Sequence, residues 1–127
     1  MTKILIIEDD AKARGALTEK FRHEGFDVDV AEGGAEGLDQ ARRLHPDLVL
    51  LDLVMPGMDG ITMLRKLRAE SDWGKSVPVI ILTNLSSDTE EAIQDVVELM
   101  PAYYLVKADW KLNDIVEKVK DRLAPKT

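Results

Sequence analysis

No cysteine occurs in the 127 residues. Disulfides, thiol nucleophiles and Cys-ligated zinc are therefore excluded. Histidine is nearly as scarce. With only His23 and His45 available, a His-rich metal site is disfavoured as well. Long apolar runs are missing too. The longest falls far short of the roughly 20 residues a membrane span needs, and the start "MTKILIIEDD" has no extended apolar core before its acids, unlike a signal peptide. Positive charge is in short supply, with 17 Lys and Arg against 24 Asp and Glu, a net charge of -7. A domain this acidic is poorly suited to hold a phosphate backbone directly. These absences fit a cytoplasmic chain that binds neither membrane nor nucleic acid; a monomer or weak dimer is expected.

What is present is ordinary for a globular domain: 45% hydrophobic and 32% charged residues. The length predicts one domain over residues 1–127. Five apolar segments alternate with five helical patterns. Ile4–Ile7, Leu48–Leu51 and Val79–Leu82 are continuous, as strands buried on both faces are. Phe26 to Val30 alternates strictly and belongs on a sheet edge, and Tyr103–Val106 is the fifth strand. Ala13, Leu17 and Phe21 stripe the first helix, with Asp10 as its cap and Gly25 as its end. Ala35, Leu38, Ala41 and Leu44 stripe the second, and Ile61, Leu64 and Leu67 the third. Ile93, Val96, Val97 and Met100 form the fourth stripe, with Ser87 and Glu90 as a capping box. Leu112, Ile115, Val116, Val119 and Leu123 line the fifth, with Asp109 as N-cap. Trp73 reads as a loop residue and Trp110 as the opening of the last helix. Gly33, Gly34 and Gly37 lack the spacing of a nucleotide cradle and read as a loop leading into a helix.

Strand–helix alternation implies a parallel sheet covered on both faces, with right-handed crossovers. The fold class is α/β: a flavodoxin-like (βα)5 three-layer sandwich, its five-stranded sheet in the order 2-1-3-4-5. In such sheets ligands bind beyond the carboxyl ends of the strands, where the order reverses. There the sequence places Glu8 and Asp9 after the first strand, Asp52 after the third, Thr83 at the end of the fourth and Lys107 after the fifth. Any one of these alone reads as a helix cap, a turn former or a solvated lysine. Their conjunction on four strand ends does not.

Three carboxylates that close repel one another; two unit charges about 4 Å apart cost about 4 kcal/mol at an effective dielectric of 20. Either a pKa rises or a cation neutralises the cluster. An all-oxygen donor set points to a hard cation, Mg²⁺ first. A lysine and a threonine beside it suit an arriving phosphoryl group, and Asp52 at the sheet end suits a carboxylate nucleophile.

With "ILIIEDD", "PDLVLLDLVMPGMDG", "VPVIILTN" and "YYLVK" standing in order over residues 3 to 123, the chain resembles the receiver domains of two-component response regulators. The resemblance implies that Asp52 is the phosphoacceptor. It implies that Asp9, Asp52 and the Val54 carbonyl ligate Mg²⁺, with Glu8 acting through water, and that Thr83 and Lys107 hold the phosphoryl oxygens. It makes Tyr104 a switch aromatic that turns inward when Thr83 moves, altering the surface of the fourth helix, fifth strand and fifth helix. Without the resemblance Tyr104 reads as an ordinary edge-strand tyrosine. The implied partners are a histidine kinase or histidine phosphotransfer protein and a downstream output protein, and the chain is expected to catalyse only its own phosphorylation and dephosphorylation. No DNA-binding segment follows Leu123, so direct transcription control by this chain is not expected.

Two departures from the family pattern stand beside the chemistry. Ala108 rather than proline follows Lys107, and Asn84 rather than a small residue follows Thr83. Two other classes are disfavoured by single positions. A haloacid-dehalogenase-like phosphatase wants an aspartate where Val54 stands. A flavodoxin-like cofactor binder wants a Ser/Thr/Gly-rich loop where Glu8-Asp9-Asp10 stands.

Overall fold

The computed structural model describes residues 2–84 and 97–124. Five parallel strands, β1 (Lys3–Ile7), β2 (Asp27–Ala31), β3 (Leu48–Leu51), β4 (Val79–Thr83) and β5 (Tyr103–Val106), form one sheet in the order β2-β1-β3-β4-β5. Helices α1 (Ala11–His23), α2 (Gly34–Leu44), α3 (Gly60–Glu70), the short α4 (Asp72–Ser76) and α5 (Leu112–Leu123) cover it. The predicted topology is the observed one.

Two apolar layers sandwich the sheet, and strand alternation sorts them. Leu5, Ile7, Val49, Leu51, Val79 and Ile81 face Leu38, Ala41, Met63, Leu64 and Leu67 of α2 and α3. Ile4, Ile6, Leu48, Leu50, Ile80 and Leu82 face Leu17 and Phe21 of α1 and Ile115, Val116 and Val119 of α5. Because both faces are covered, the inner strands need no polar side. β2 lies at the edge, as its alternation predicts, one residue later than the sequence pattern places it.

Helix ends follow local chemistry. Asp10 accepts from the Ala13 N–H at 2.9 Å, and Asp59 accepts from the Thr62 N–H at 2.8 Å. Each satisfies one of the orphan donors of a first turn. Gly25 follows α1 at φ +92°, a left-handed position that glycine reaches without a Cβ penalty.

Several sequence expectations give way to packing. Ala35 is exposed, and the buried face of α2 uses Gly34 and Gly37 instead. A Cβ on Gly37 would lie 2.5 Å from Ile7 Cδ1, and one on Gly34 would lie 2.3 Å from the Met58 carbonyl oxygen. Trp73 sits in α4, which Ser71 caps, and its ring stacks on His45 with centroids 4.1 Å apart. Asp109 does not cap the last helix. It ends a 3-10 turn, Lys107–Asp109, which also takes up Trp110 as its closing residue; Lys111 holds the α5 cap position with no side-chain bond. Val97 and Met100 are 64% and 68% exposed rather than inward-facing. Leu112 is more than one-third exposed. Ser87, Glu90, Ile93 and Val96 lie outside the described residues.

Arg68 fastens the far side of α3. Its guanidinium donates to the carbonyls of Gly74, Val77, Leu99 and Met100 at 2.7 to 3.2 Å. Burial lowers its pKa, and the four carbonyl dipoles compensate the charge.

Two glycines test this packing in opposite directions. A Cβ on Gly60 would lie 2.3 Å from the Asp52 carbonyl oxygen, so Gly60→Ala forces β3 and α3 apart and costs about 1–3 kcal/mol. Gly15, inside α1, has nothing within 4 Å of a Cβ. Gly15→Ala therefore stabilises by about 0.5–1 kcal/mol. Urea unfolding of both variants checks the pair; equal effects would contradict the packing described.

Candidate functional site

Each strand that ends near the centre of the sheet delivers one buried polar group. Glu8, Asp52 and Thr83 are the buried polar residues among those described, at 2%, 7% and 0% exposure. Asp9 is exposed beside Glu8. One carboxylate oxygen from each of Glu8, Asp9 and Asp52 lies within 4.8 Å of the other two. The Lys107 ammonium, at the end of β5, contacts Glu8 Oε1 and sits 3.2 Å from Asp52 Oδ2. The predicted cluster is thus assembled from residues as much as 99 positions apart.

Backbone groups complete the shell. The Val54 N–H donates to Asp52 Oδ1 at 3.2 Å, while the Val54 side chain is 58% exposed. The Asp10 N–H lies 3.4 Å from Glu8 Oε2. No peptide is cis among the described residues, so the Lys107–Ala108 bond is trans and Lys107 reaches the cluster without a proline behind it. Asn84 is exposed next to Thr83.

The two buried carboxyls divide their roles. Burial pushes Glu8 up to about 7, and its hydrogen bond with Asp52 adds to this, against the pull of Lys107. Burial also opposes charge on Asp52. There, hydrogen bonds with Glu8, Thr83 and the Val54 N–H, together with the Lys107 charge, outweigh burial and hold the carboxyl below its usual range. Lys107 follows the same logic: burial works against its ammonium, but Glu8 and Asp52 more than compensate and raise its pKa. Near neutral pH the site therefore carries an ionised Asp52, a charged Lys107 and a Glu8 poised to hold or release a proton. Such an arrangement offers a buried, anionic oxygen nucleophile next to a fixed cation.

Tyr104 is half-buried and packs against the α2–α3 apolar layer. Burial, followed by the Asp52 charge, raises its phenol pKa. Its neighbour Tyr103 faces the other layer, donates to Asp121 and lies under Lys118, whose Nζ is 5.0 Å from the ring centroid.

One contact escaped the sequence reading. Arg14, in α1, donates to the carbonyls of Glu8 at 3.0 Å and Asp9 at 3.2 Å, and to Glu32 Oε1 at 3.1 Å. A signal existed: the first turn of α1 carries no acid, yet bases stand near the positive end of its dipole. An arginine in that place needs a carbonyl or carboxylate partner.

The family described as response regulator receiver domain matches residues 4–120. The chain is 40% identical over 121 residues to the DNA-binding response regulator MtrA of Mycolicibacterium paratuberculosis, which covers 95% of this chain and 51% of that protein. It thus spans about half the length of the curated relatives it matches. The BeF3-activated N-terminal receiver domain of Klebsiella pneumoniae RstA superposes with a TM-score of 0.84 at 29% identity, covering 98% of this chain and 100% of that one. Chemotaxis protein CheY4 of Vibrio cholerae shares the fold, with a TM-score of 0.86 at 24% identity over 97% and 99% of the two chains. The chain belongs to the response regulator receiver-domain family and is a receiver domain of the two-component type. Members of this family are signalling domains rather than enzymes in the ordinary sense. No described helix is long and apolar enough to cross a membrane.

The charge pattern predicts a pH effect in metal-free buffer. Glu8 is raised from its ordinary 4.5 to about 7, so the folded state binds the extra proton between these values. Stability present below pH 4.5 is therefore lost as pH rises to about 7. Asp52→Asn removes the hydrogen bond and charge that help raise Glu8. The melting-temperature difference, variant minus parent, should rise by a few degrees from about pH 5 to about pH 8. Thermal melts in EDTA check this. Parallel curves would mean that Asp52 does not set the Glu8 proton.

Proposed function

We propose that Asp52 is the phosphoacceptor of this receiver domain. The observation that carries this reading is a carboxylate only 7% exposed, held ionised beside a lysine ammonium at 3.2 Å. In the reaction an Asp52 carboxylate oxygen forms the new bond to phosphorus. The bond from phosphorus to the donor breaks, and the donor keeps that electron pair. Lys107 and the Thr83 hydroxyl hold the transferred phosphoryl oxygens. The all-oxygen cluster of Glu8, Asp9 and Asp52 fits a hard divalent cation. Asp9, Asp52 and the Val54 carbonyl would hold Mg²⁺, with Glu8 acting through water. When bound, the cation supplies charge neutralisation for the transferring group.

The donor on this reading is a histidine kinase or histidine phosphotransfer protein, and the reader is a downstream output protein. Residues 1–127 act as one cytoplasmic receiver module that itself contacts no nucleic acid. Its only catalysis is its own phosphorylation and dephosphorylation. The test is an acyl phosphate. With Mg²⁺ and a small phosphodonor, the parent should take up acid-stable, base-labile phosphate, and Asp52→Asn should take up none. Label that persists on the Asn variant would move the acceptor elsewhere.

Tyr104 is the proposed switch, through a local charge event that biases a two-state element. Its half-burial within reach of the Asp52 charge supports this reading. A beryllofluoride complex should shift amide resonances from Thr83 as far as Tyr104. Shifts confined to the immediate neighbours of Asp52 would remove Tyr104 from the mechanism.

A further inference from the structure

We infer that Arg14 is a positioning residue that sets the Glu8–Asp9 turn for cation binding, through a guanidinium fork on the two main-chain carbonyls. The inference rests on the proposed cation site and adds to it a residue outside the carboxylate cluster.

The geometry is specific. One guanidinium nitrogen, Nη1, donates to both the Glu8 and Asp9 carbonyls, at 3.0 and 3.2 Å. The other, Nη2, donates to Glu32 Oε1 at 3.1 Å, just beyond β2. Arg14 is thus tied at one end to the two residues that carry the acidic side chains and at the other to the edge of the sheet. Its side chain is 17% exposed, against 70% for Glu32. The fork is therefore the well-held end, and the Glu32 pair is a screened surface contact of small worth.

The turn has few other constraints. The Glu8 N–H is fixed to the Ala31 carbonyl at 3.0 Å, which holds the start of the turn to β2. Asp10 is fixed by its cap on Ala13. Between these anchors lies Asp9, whose side chain takes no hydrogen bond among the described residues. The orientation of a carboxylate follows the dihedrals of its own backbone. The Arg14 fork fixes the carbonyls of both acids, and so limits the peptide rotations that would swing Asp9 away from Glu8 and Asp52. A planar guanidinium with several fixed donors suits this; a lysine ammonium, a point charge on a flexible stem, suits it less. Outer partners that orient metal ligands commonly change metal affinity by about 10–100-fold.

The charge alone is a competing explanation, because a cation near three carboxylates lowers their mutual repulsion and would, by itself, weaken rather than strengthen binding of a second cation. The two explanations therefore predict opposite signs. Loss of a repelling charge tightens Mg²⁺ binding, and loss of the fork weakens it.

The experiment is an amide-resonance titration of the full chain with Mg²⁺ alone, following Asp9, Asp52 and Val54, in the parent, Arg14→Ala, Arg14→Lys and Glu32→Gln. Thermal melts in EDTA run alongside. Arg14→Ala should weaken Mg²⁺ about tenfold. Arg14→Lys should also weaken it, by several-fold, although the charge is kept. Glu32→Gln should leave it within about twofold of the parent. Unchanged or tighter binding in Arg14→Ala overturns the inference, as does parent-like binding in Arg14→Lys. Should Arg14→Ala fail to fold, Arg14→Lys decides alone. A parent that binds no Mg²⁺ at this cluster would instead overturn the proposed cation site, and the inference with it.

Discussion

The contact of the Lys107 ammonium with Glu8 and Asp52 is the interaction on which the rest of the site depends. It joins the ends of β1, β3 and β5, with Thr83 of β4 buried between them. Two carboxylates are thereby kept buried at a place where the runs behind them, Ile4–Ile7 and Leu48–Leu51, are wholly apolar. Burial of a charge without a partner is costly, and burial of two like charges more so. The ammonium answers both costs, and Glu8 answers the remainder by holding its proton to higher pH. The core makes the arrangement possible. Strands with both faces packed cannot slide by one residue without turning every side chain to the wrong layer, so the strand ends stay in register.

Most of the fold is legible in the sequence because it rests on periodicity. Continuous apolar runs give the inner strands and strict alternation gives the edge strand. The acids, the threonine and the lysine then follow from what stands after each run. What is not legible depends on contacts between distant elements. Gly34 and Gly60 look like turn residues, yet a Cβ at either would strike the backbone of the β3–α3 region. The short helix α4 exists because Ser71 caps it and Trp73 finds His45 to stack on, and five residues carry no period of their own. Asp109 fails as the α5 cap because a 3-10 turn takes it up first. The second stripe misleads in another way: Ala35 counts as apolar, but the helix turns its glycines inward so that α2 can approach Ile7 and Met58.

The departures from the family pattern bear on the same knot. A proline after the lysine is not what delivers it: Lys107 reaches both carboxylates across a trans bond to Ala108. The 3-10 turn that begins at Lys107 provides the bend, with the Trp110 N–H returning to the Lys107 carbonyl at 3.3 Å. The turn that upsets the expected helix cap is thus also the one that shapes the chain just after the lysine.

Charge is distributed in two shells with opposite duties. Lys107 approaches the carboxylates directly and compensates them. Arg14 touches the Glu8 and Asp9 carbonyls and the outlying Glu32 carboxylate, and none of the carboxylates of the cluster. Its guanidinium lies on the Glu8 and Asp9 main chain, behind the charged side chains. A lysine on the carboxylates and an arginine on the carbonyls behind them are a sensible division for a site that buries like charges together. One residue supplies the compensating charge, and the other holds the main chain that carries two of the acids.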